Sequence, residues 1–585
     1  LSEISVSVKA DFQGGLDLNF FAKREFEPTE GVALSKQAPI IARNAARFLM
    51  MGWTDSWTQF LTPTVLHAVF VKRDHELLRE LRLAFQQGFF EIFEQLKEKE
   101  LTEEQKEQVQ LYLSNCLTLL PYGDLTPYES IKIPQHIEGK WEMVEYQITP
   151  IELTDASGWR RFFIQDKDRV FAYGLEPLFQ KRAESHLIFM GTTYPAGQGF
   201  VPQINTDSKG FETVGKSLYR TGRARIQEWL SRQENSIHVC GVSLGGSLSL
   251  LLAIDQGNYK LSRVDALNPA GLHDAWSKSR YDNWDSLNDK PRVVVQKQGD
   301  DPVSAFGIWK TDWDIFHVIP PQDKRGPISF CDHFLNYAGF ADTQFEYIKA
   351  EQDNSKRLAR NFWLYSLGRG LIYYCFLTPY TYLVRPLINL VSHNWLLSAH
   401  IATFCIAAGL TIAGIIPGIV FLGVAGGLLA SSLICSTLTF MKKDSKESTT
   451  KNQYVEKGLA ELHDPSLPRN PSLDIYNEDN AVEVDFTYQQ IHTYYQLMRT
   501  LKNKNFIPCE EKESKHVKGI TKKALLENSQ NPKYADVVIS FKVTKAKAAH
   551  MQHTLSFVQK LGSDNEQLKS IVEKSYSSYR IGKYA

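Results

Sequence analysis

Ser243 stands in the stretch IHVCGVSLGG, residues 237–246, with Gly241 two places before it and Gly245 two places after. A short apolar run stops at Gly241, and the two glycines after Leu244 open a Ser/Leu-rich run with helical character. That is strand, sharp turn, helix, a geometry that pushes a serine hydroxyl clear of the sheet and needs small residues on either side of it. A serine hydroxyl is a poor nucleophile at neutral pH. It needs a base, a carboxylate to orient the base, and donors for the oxyanion that forms on the substrate. The chemistry of such a set is acyl transfer through a covalent acyl-enzyme.

Candidates for each role follow in the chain order that a strand–turn–helix nucleophile requires, acid and then histidine. The run VVVQKQGDDPV ends in Asp300 and Asp301, of which Asp301, followed by Pro302 and Val303, is the preferred acid and Asp300 the alternative. His333 in ISFCDHFLNY is the preferred base. His317 is the alternative, although it lies inside the strand-like IFHVI; His273 precedes the acid and breaks the order. One oxyanion donor is expected from the backbone N–H of Leu244. The other is expected from the loop Gly191, Thr192, Thr193, where Thr192 is preferred because it offers a backbone N–H and a hydroxyl.

The elements that must position these residues alternate. HLIFMG, IHVCGV, SRVDALNP, PRVVVQKQ and WDIFHVIP read as strands, several of them continuously apolar and therefore buried on both faces. GFETVGKSLYRTGRARIQEWLSRQE and SLSLLLAI read as helices between them. Such alternation predicts an α/β protein with a mostly parallel sheet flanked by helices, and sites in such sheets lie at the carboxyl ends of the strands. WEMVEYQITPIEL and RVFAYGLEPL add strands ahead of this block.

GVSLGGSLSLLLA resembles the GHSLGGALA elbow of class 3 lipases. LIFMGTTYP is similar to their strand ending in R-G-T, ALNPAG to their F-N-P-A strand, GDDPV to their D-P-V turn and DHFLNY to their terminal histidine segment. The resemblance covers roughly residues 140–340. It implies an α/β-hydrolase fold with Ser243 as nucleophile, Asp301 as acid, His333 as base and Thr192 as an oxyanion residue. Val242 and Met190 depart from it, standing where the family has histidine and arginine. With an appended hairpin, the chain also resembles, more loosely, lipase-like effectors secreted by intracellular bacteria.

The 585 residues, 43% hydrophobic, are too many for one core. Lys and Arg (66) balance Asp and Glu (66), so no overall field draws nucleic acid, and none is expected as a partner. Seven scattered cysteines without a C-x-x-C pair argue for a reducing compartment and against a disulfide scaffold or structural zinc; no metal or other cofactor is expected. No positively charged apolar leader is read at Leu1.

Residues 1–135 read as a helical region, with Thr102 starting one helix; 136–345 as the lipase-like domain; 346–392 as a helical and aromatic connector. Between Arg385 and Lys442 no charged residue occurs, and 393–441 contains two apolar runs of the length that crosses about 30 Å of hydrocarbon, split at Pro417 and Gly418. An apolar helical hairpin inserted in a membrane, both ends cytoplasmic, is the expectation. Residues 442–585 open as a Lys- and Pro-rich linker and close as a small α+β module whose protein partner is not legible. The expected activity is a membrane-associated, intracellular serine esterase, lipase- or phospholipase-like, with a lipid or phospholipid as partner and substrate. It would also suit an effector acting inside a host cell. An acyltransferase, thioesterase or peptidase on the same fold is the alternative enzyme, and a catalytically inert membrane tether or scaffold is the alternative of another class.

Overall fold

The computed structural model describes residues 8–18, 27–32, 37–51, 75–125, 130–154, 168–177, 182–193, 197–273, 281–326, 329–333, 335–357, 362–386 and, further on, 481–487, 537–544 and a few single positions. The hairpin expected over 393–441 and most of 442–585 lie outside the described residues. Among the described residues no helix is long and apolar enough to cross a membrane.

In chain order the main elements are β1 (Phe12–Gln13), α1 (Gln37–Met51), α2 (His75–Leu96), α3 (Glu103–Leu117), β2 (Ser130–Ile137), β3 (Lys140–Glu152), β4 (Phe171–Pro177), β5 (Ser185–Phe189), α4 (Phe200–Asp207), α5 (Lys216–Ser231), β6 (Ile237–Val242), α6 (Leu244–Gln256), β7 (Leu261–Leu267), β8 (Arg292–Gln298), β9 (Asp314–Ile319), β10 (Gln344–Lys349), α7 (Ala350–Lys356) and α8 (Phe362–Leu371). A large α/β sheet results, in the order β1-β10-β9-β8-β7-β6-β5-β4-β3-β2. The strands from β5 to β9 run parallel. Antiparallel strands extend the sheet at both ends, so the parallel part is its centre rather than its whole.

The parallel strands follow one another in sheet order as they do in sequence. Right-handed crossovers between such neighbours must all lie on one face. That face holds α5 and α6 over Val239, Val264, Val295 and Ile315. Among the described residues no crossover helix lies on the other face, and the N-terminal helices cover it: residues of α1, α2 and α3 share a core with Cys240, Val294, Phe316 and Val318. Val239 and Cys240, or Val294 and Val295, point to opposite faces and are all fully buried, which is why these strands read as unbroken apolar runs.

Helix α3 begins where Thr102 predicts, with a capping box in which Thr102 Oγ1 accepts the Gln105 N–H and Gln105 Oε1 accepts the Thr102 N–H. It is fastened to the sheet by charge as well as packing: Glu107 takes Arg263 from β7 at 2.7 Å and Arg292 from β8 at 2.9 Å. Burial works against ionising Glu107, yet the two guanidiniums hold its carboxyl below the usual range. Further on, β11 (Ala481–Thr487) and β12 (Val538–Thr544) pair antiparallel as a separate two-stranded sheet.

Candidate active site

The turn around Ser243 has no room for a side chain at Gly241 or Gly245. A Cβ on Gly241 would run into the Gly245 carbonyl, and one on Gly245 into the Phe189 carbonyl at the end of β5. Glycine at both positions lets β5, β6 and α6 meet backbone to backbone. Ser243 itself has φ +55° and ψ −121°, a conformation costly for a residue with a Cβ. Its N–H donates to Leu267 O at 2.9 Å, which fixes the turn to β7. Val242 and Leu244 are buried on either side, while Ser243 is partly exposed.

Three residues distant in sequence meet at this turn. Ser243 Oγ and His333 Nε2 are 2.8 Å apart, and His333 Nδ1 and Asp301 Oδ1 are 2.8 Å apart. The acid is further defined by backbone donors: Asp301 Oδ1 accepts the Val303 N–H and Oδ2 the Ser304 N–H, at 3.1 and 2.9 Å. The alternatives fall elsewhere. Asp300 is largely exposed and pairs with Arg325. His317 projects from β9, its Nε2 2.8 Å from Gly299 O. His273 lies 2.8 Å from Ser366 Oγ, and burial with Arg369 nearby brings its ring down to about 4.

Two buried side chains that sequence reasoning leaves out hold the histidine in place. Asn268, in the left-handed region at φ +45°, donates from Nδ2 to Asp332 O and His333 O and accepts the Gln298 N–H on Oδ1. Asp332, fully buried, accepts the Asp300 N–H at 2.8 Å, the Arg325 guanidinium at 2.7 Å and the Tyr337 hydroxyl at 2.8 Å. It therefore ties the acid-bearing turn to the histidine-bearing turn. The quoted segments ALNPAG and DHFLNY contain both residues, and only the pairing in space shows their task.

The loop after β5 lies beside the nucleophile strand, since β5 pairs with β6 in parallel register, Phe189 opposite Gly241. Of its residues, Thr193 is engaged: Gln203 Oε1 accepts its N–H at 2.9 Å, and Gln203 Nε2 donates to Gly191 O. Thr192 retains its backbone N–H, but its hydroxyl donates to Asp207 Oδ2 at 2.7 Å. The hydroxyl is thereby engaged, because it has one proton to give, which differs from the expectation that Thr192 has both groups on offer. The N–H of Leu244 belongs to the first turn of α6, where no intrahelical acceptor exists. Asp207 is half-buried with its carboxyl Oδ1 enclosed, and desolvation pushes the carboxyl up to about 6 against the opposing pull of the Thr192 hydroxyl, Arg369 and His333.

A second Ser–His–Asp grouping sits on the opposite face of the sheet. Asp265 Oδ2 accepts the Ser114 hydroxyl at 2.6 Å and lies 2.9 Å from His238 Nε2, whose Nδ1 is 3.0 Å from His186 Nδ1. Burial works against the Asp265 carboxylate, but Arg263, His238 and Ser114 hold it well below the usual range. Here the carboxylate takes the serine proton directly, and all three residues are sealed from solvent. The grouping is a buried fastening between α3, β6 and β7. Compared with protein-family models, curated proteins and solved structures, the chain matches none of them.

Proposed function

We propose that the protein is a serine hydrolase of the α/β-hydrolase fold, cleaving carboxylic esters of membrane lipids through an acyl-enzyme. The observation that carries this reading is the chain Ser243–His333–Asp301, with both contacts at 2.8 Å and the serine held at φ +55° on a strand-to-helix turn. His333 takes the Ser243 proton as the oxygen attacks the ester carbonyl, and Asp301 steadies the imidazolium that forms. The backbone N–H groups of Leu244 and Thr192 receive the oxyanion. His333 then returns the proton to the leaving alcohol, and a water activated by the same ring releases the fatty acid. Nothing in this sequence of steps calls for a metal or an organic cofactor.

The order of elements supports the fold assignment. The nucleophile follows β6 in the centre of the parallel block, the acid follows β8, and the base follows β9. The oxyanion loop follows β5, the neighbour of β6. A lipid rather than a soluble ester is favoured by the long uncharged stretch that follows this domain in the sequence. Release of fatty acid from phospholipid vesicles by the full chain, lost in Ser243→Ala, is the test. Hydrolysis of short soluble esters without any release from vesicles would remove the lipid part of the reading.

A further inference from the structure

The helical segment 362–386 is built inside out. α8 continues as π-helical turns over Ile372–Leu377 and Tyr380–Val384, with Thr378 N–H bonding Tyr373 O and Arg385 N–H bonding Tyr380 O. The polar side chains of this rod face the protein. Ser366 lies 2.8 Å from His273 Nε2, Arg369 Nε donates to Asp207 O, Thr381 Oγ1 accepts Asn205 Nδ2, and Arg385 pairs with Asp168 at 2.6 Å. Gly210 packs so closely beneath it that a Cβ would overlap Ser366 O. The outward face is apolar and aromatic instead, including Leu371, Tyr374, Phe376, Tyr382 and Leu383, with Phe376 70% and Leu383 71% exposed.

We propose that this outward face is a docking surface for a lipid bilayer, on which the helix lies in the plane of the interface. A surface helix in water turns its apolar stripe inward; the reverse arrangement is stable where the outer medium is itself apolar. Tyrosines and phenylalanine at this depth suit the boundary between headgroups and chains. The sequence beyond Arg385 carries no Asp, Glu, Lys or Arg until Lys442, so the uncharged composition continues along the chain. No Lys, Arg, Asp or Glu lies between Gly370 and Val384, so binding draws on apolar burial and not on anionic headgroups. The helix also reaches the site through one intermediate: Arg369 holds the last residue of α4, Asp207, which receives the Thr192 hydroxyl. Docking of the helix therefore bears on the loop expected to hold the oxyanion.

The proposal extends the lipid-ester reading, and a test made in Ser243→Ala keeps its failure separate from the failure of that reading. Cys375 is exposed on the outward face, while Cys116, Cys240 and Cys331 are buried. The full chain carrying S243A, C405A, C435A and C509A is labelled at Cys375 with an environment-sensitive fluorophore and mixed with brominated phosphatidylcholine vesicles. The label should shift to the blue, be quenched by the lipid bromines and lose most of its quenching by aqueous iodide, to the same extent at low and high salt. F376E/L383E should abolish the bromine quenching with the melting midpoint unchanged, and F376L/L383M should retain it. Continued iodide access with vesicles present would overturn the proposal. So would protection from iodide before vesicles are added, which would mean that another part of the chain or a second copy covers the face.

Discussion

Thr192 Oγ1 and Asp207 Oδ2 lie 2.7 Å apart, so the hydroxyl proton of the oxyanion-loop threonine is committed to that carboxylate. If the backbone N–H of Thr192 is the working donor, Thr192→Val should lower kcat/KM by less than about tenfold, since the N–H survives. Loss of a true oxyanion donor costs roughly 10²–10³. Steady-state kinetics on a short-chain ester decides between the two, and a fall of the larger size would assign the role to the hydroxyl.

Asp207 also makes a prediction about pH. Its folded-state carboxyl is raised from 3.8 to about 6, so the native state holds the proton that the unfolded chain gives up first. Stability must fall as pH rises from about 4 to about 6 and level off above that, a change on the order of 3 kcal/mol for this group. Asp207→Asn removes the titration. In denaturant melts from pH 4 to 8, the stability of the variant relative to wild type should climb across that window and then stay constant; parallel curves would contradict the assignment.

Asn268 spans β7, β8 and the histidine turn with side-chain bonds to Asp332 O, His333 O and the Gln298 N–H. Asn268→Ala leaves those buried groups unmet and keeps the left-handed backbone without the residue that tolerates it. A loss of about 2–4 kcal/mol in chemical denaturation is expected, together with a fall in kcat larger than any change in KM, because the imidazole is no longer held.

The buried grouping offers a control. Ser114→Ala removes a hydroxyl bond to Asp265 and should cost about 1–2 kcal/mol of stability without touching the site chemistry. Covalent labelling by a fluorophosphonate should proceed at the wild-type rate in that variant.

Ser243 and Asp301 are legible as candidates because each closely follows a strand, and His333 because it lies in the segment beyond the next strand, in an order that the turn geometry restricts. The residues that position them are not. Asn268, Asp332, Gln203 and Asp207 act through partners tens or hundreds of residues away or through backbone groups, and neither periodicity nor spacing encodes such pairs. The short helix Phe200–Asp207 escapes the pattern because GFVPQINTD has no apolar period and carries Pro202. The N-terminal helices announce themselves by amphipathic spacing, but their task on the uncrossed face follows only from the sheet order. In 370–384 the composition is plain, whereas its inverted facing depends on which side chains Asp168, Asn205 and Asp207 engage.

The central claim is that Ser243 is a nucleophile activated by His333. Incubation of the purified full chain with a fluorophosphonate, followed by peptide mapping in a mass spectrometer, tests it most directly. The adduct is expected on Ser243, absent in Ser243→Ala and strongly slowed in His333→Ala. An adduct on another residue, or labelling of Ser243 that is indifferent to His333, would contradict it.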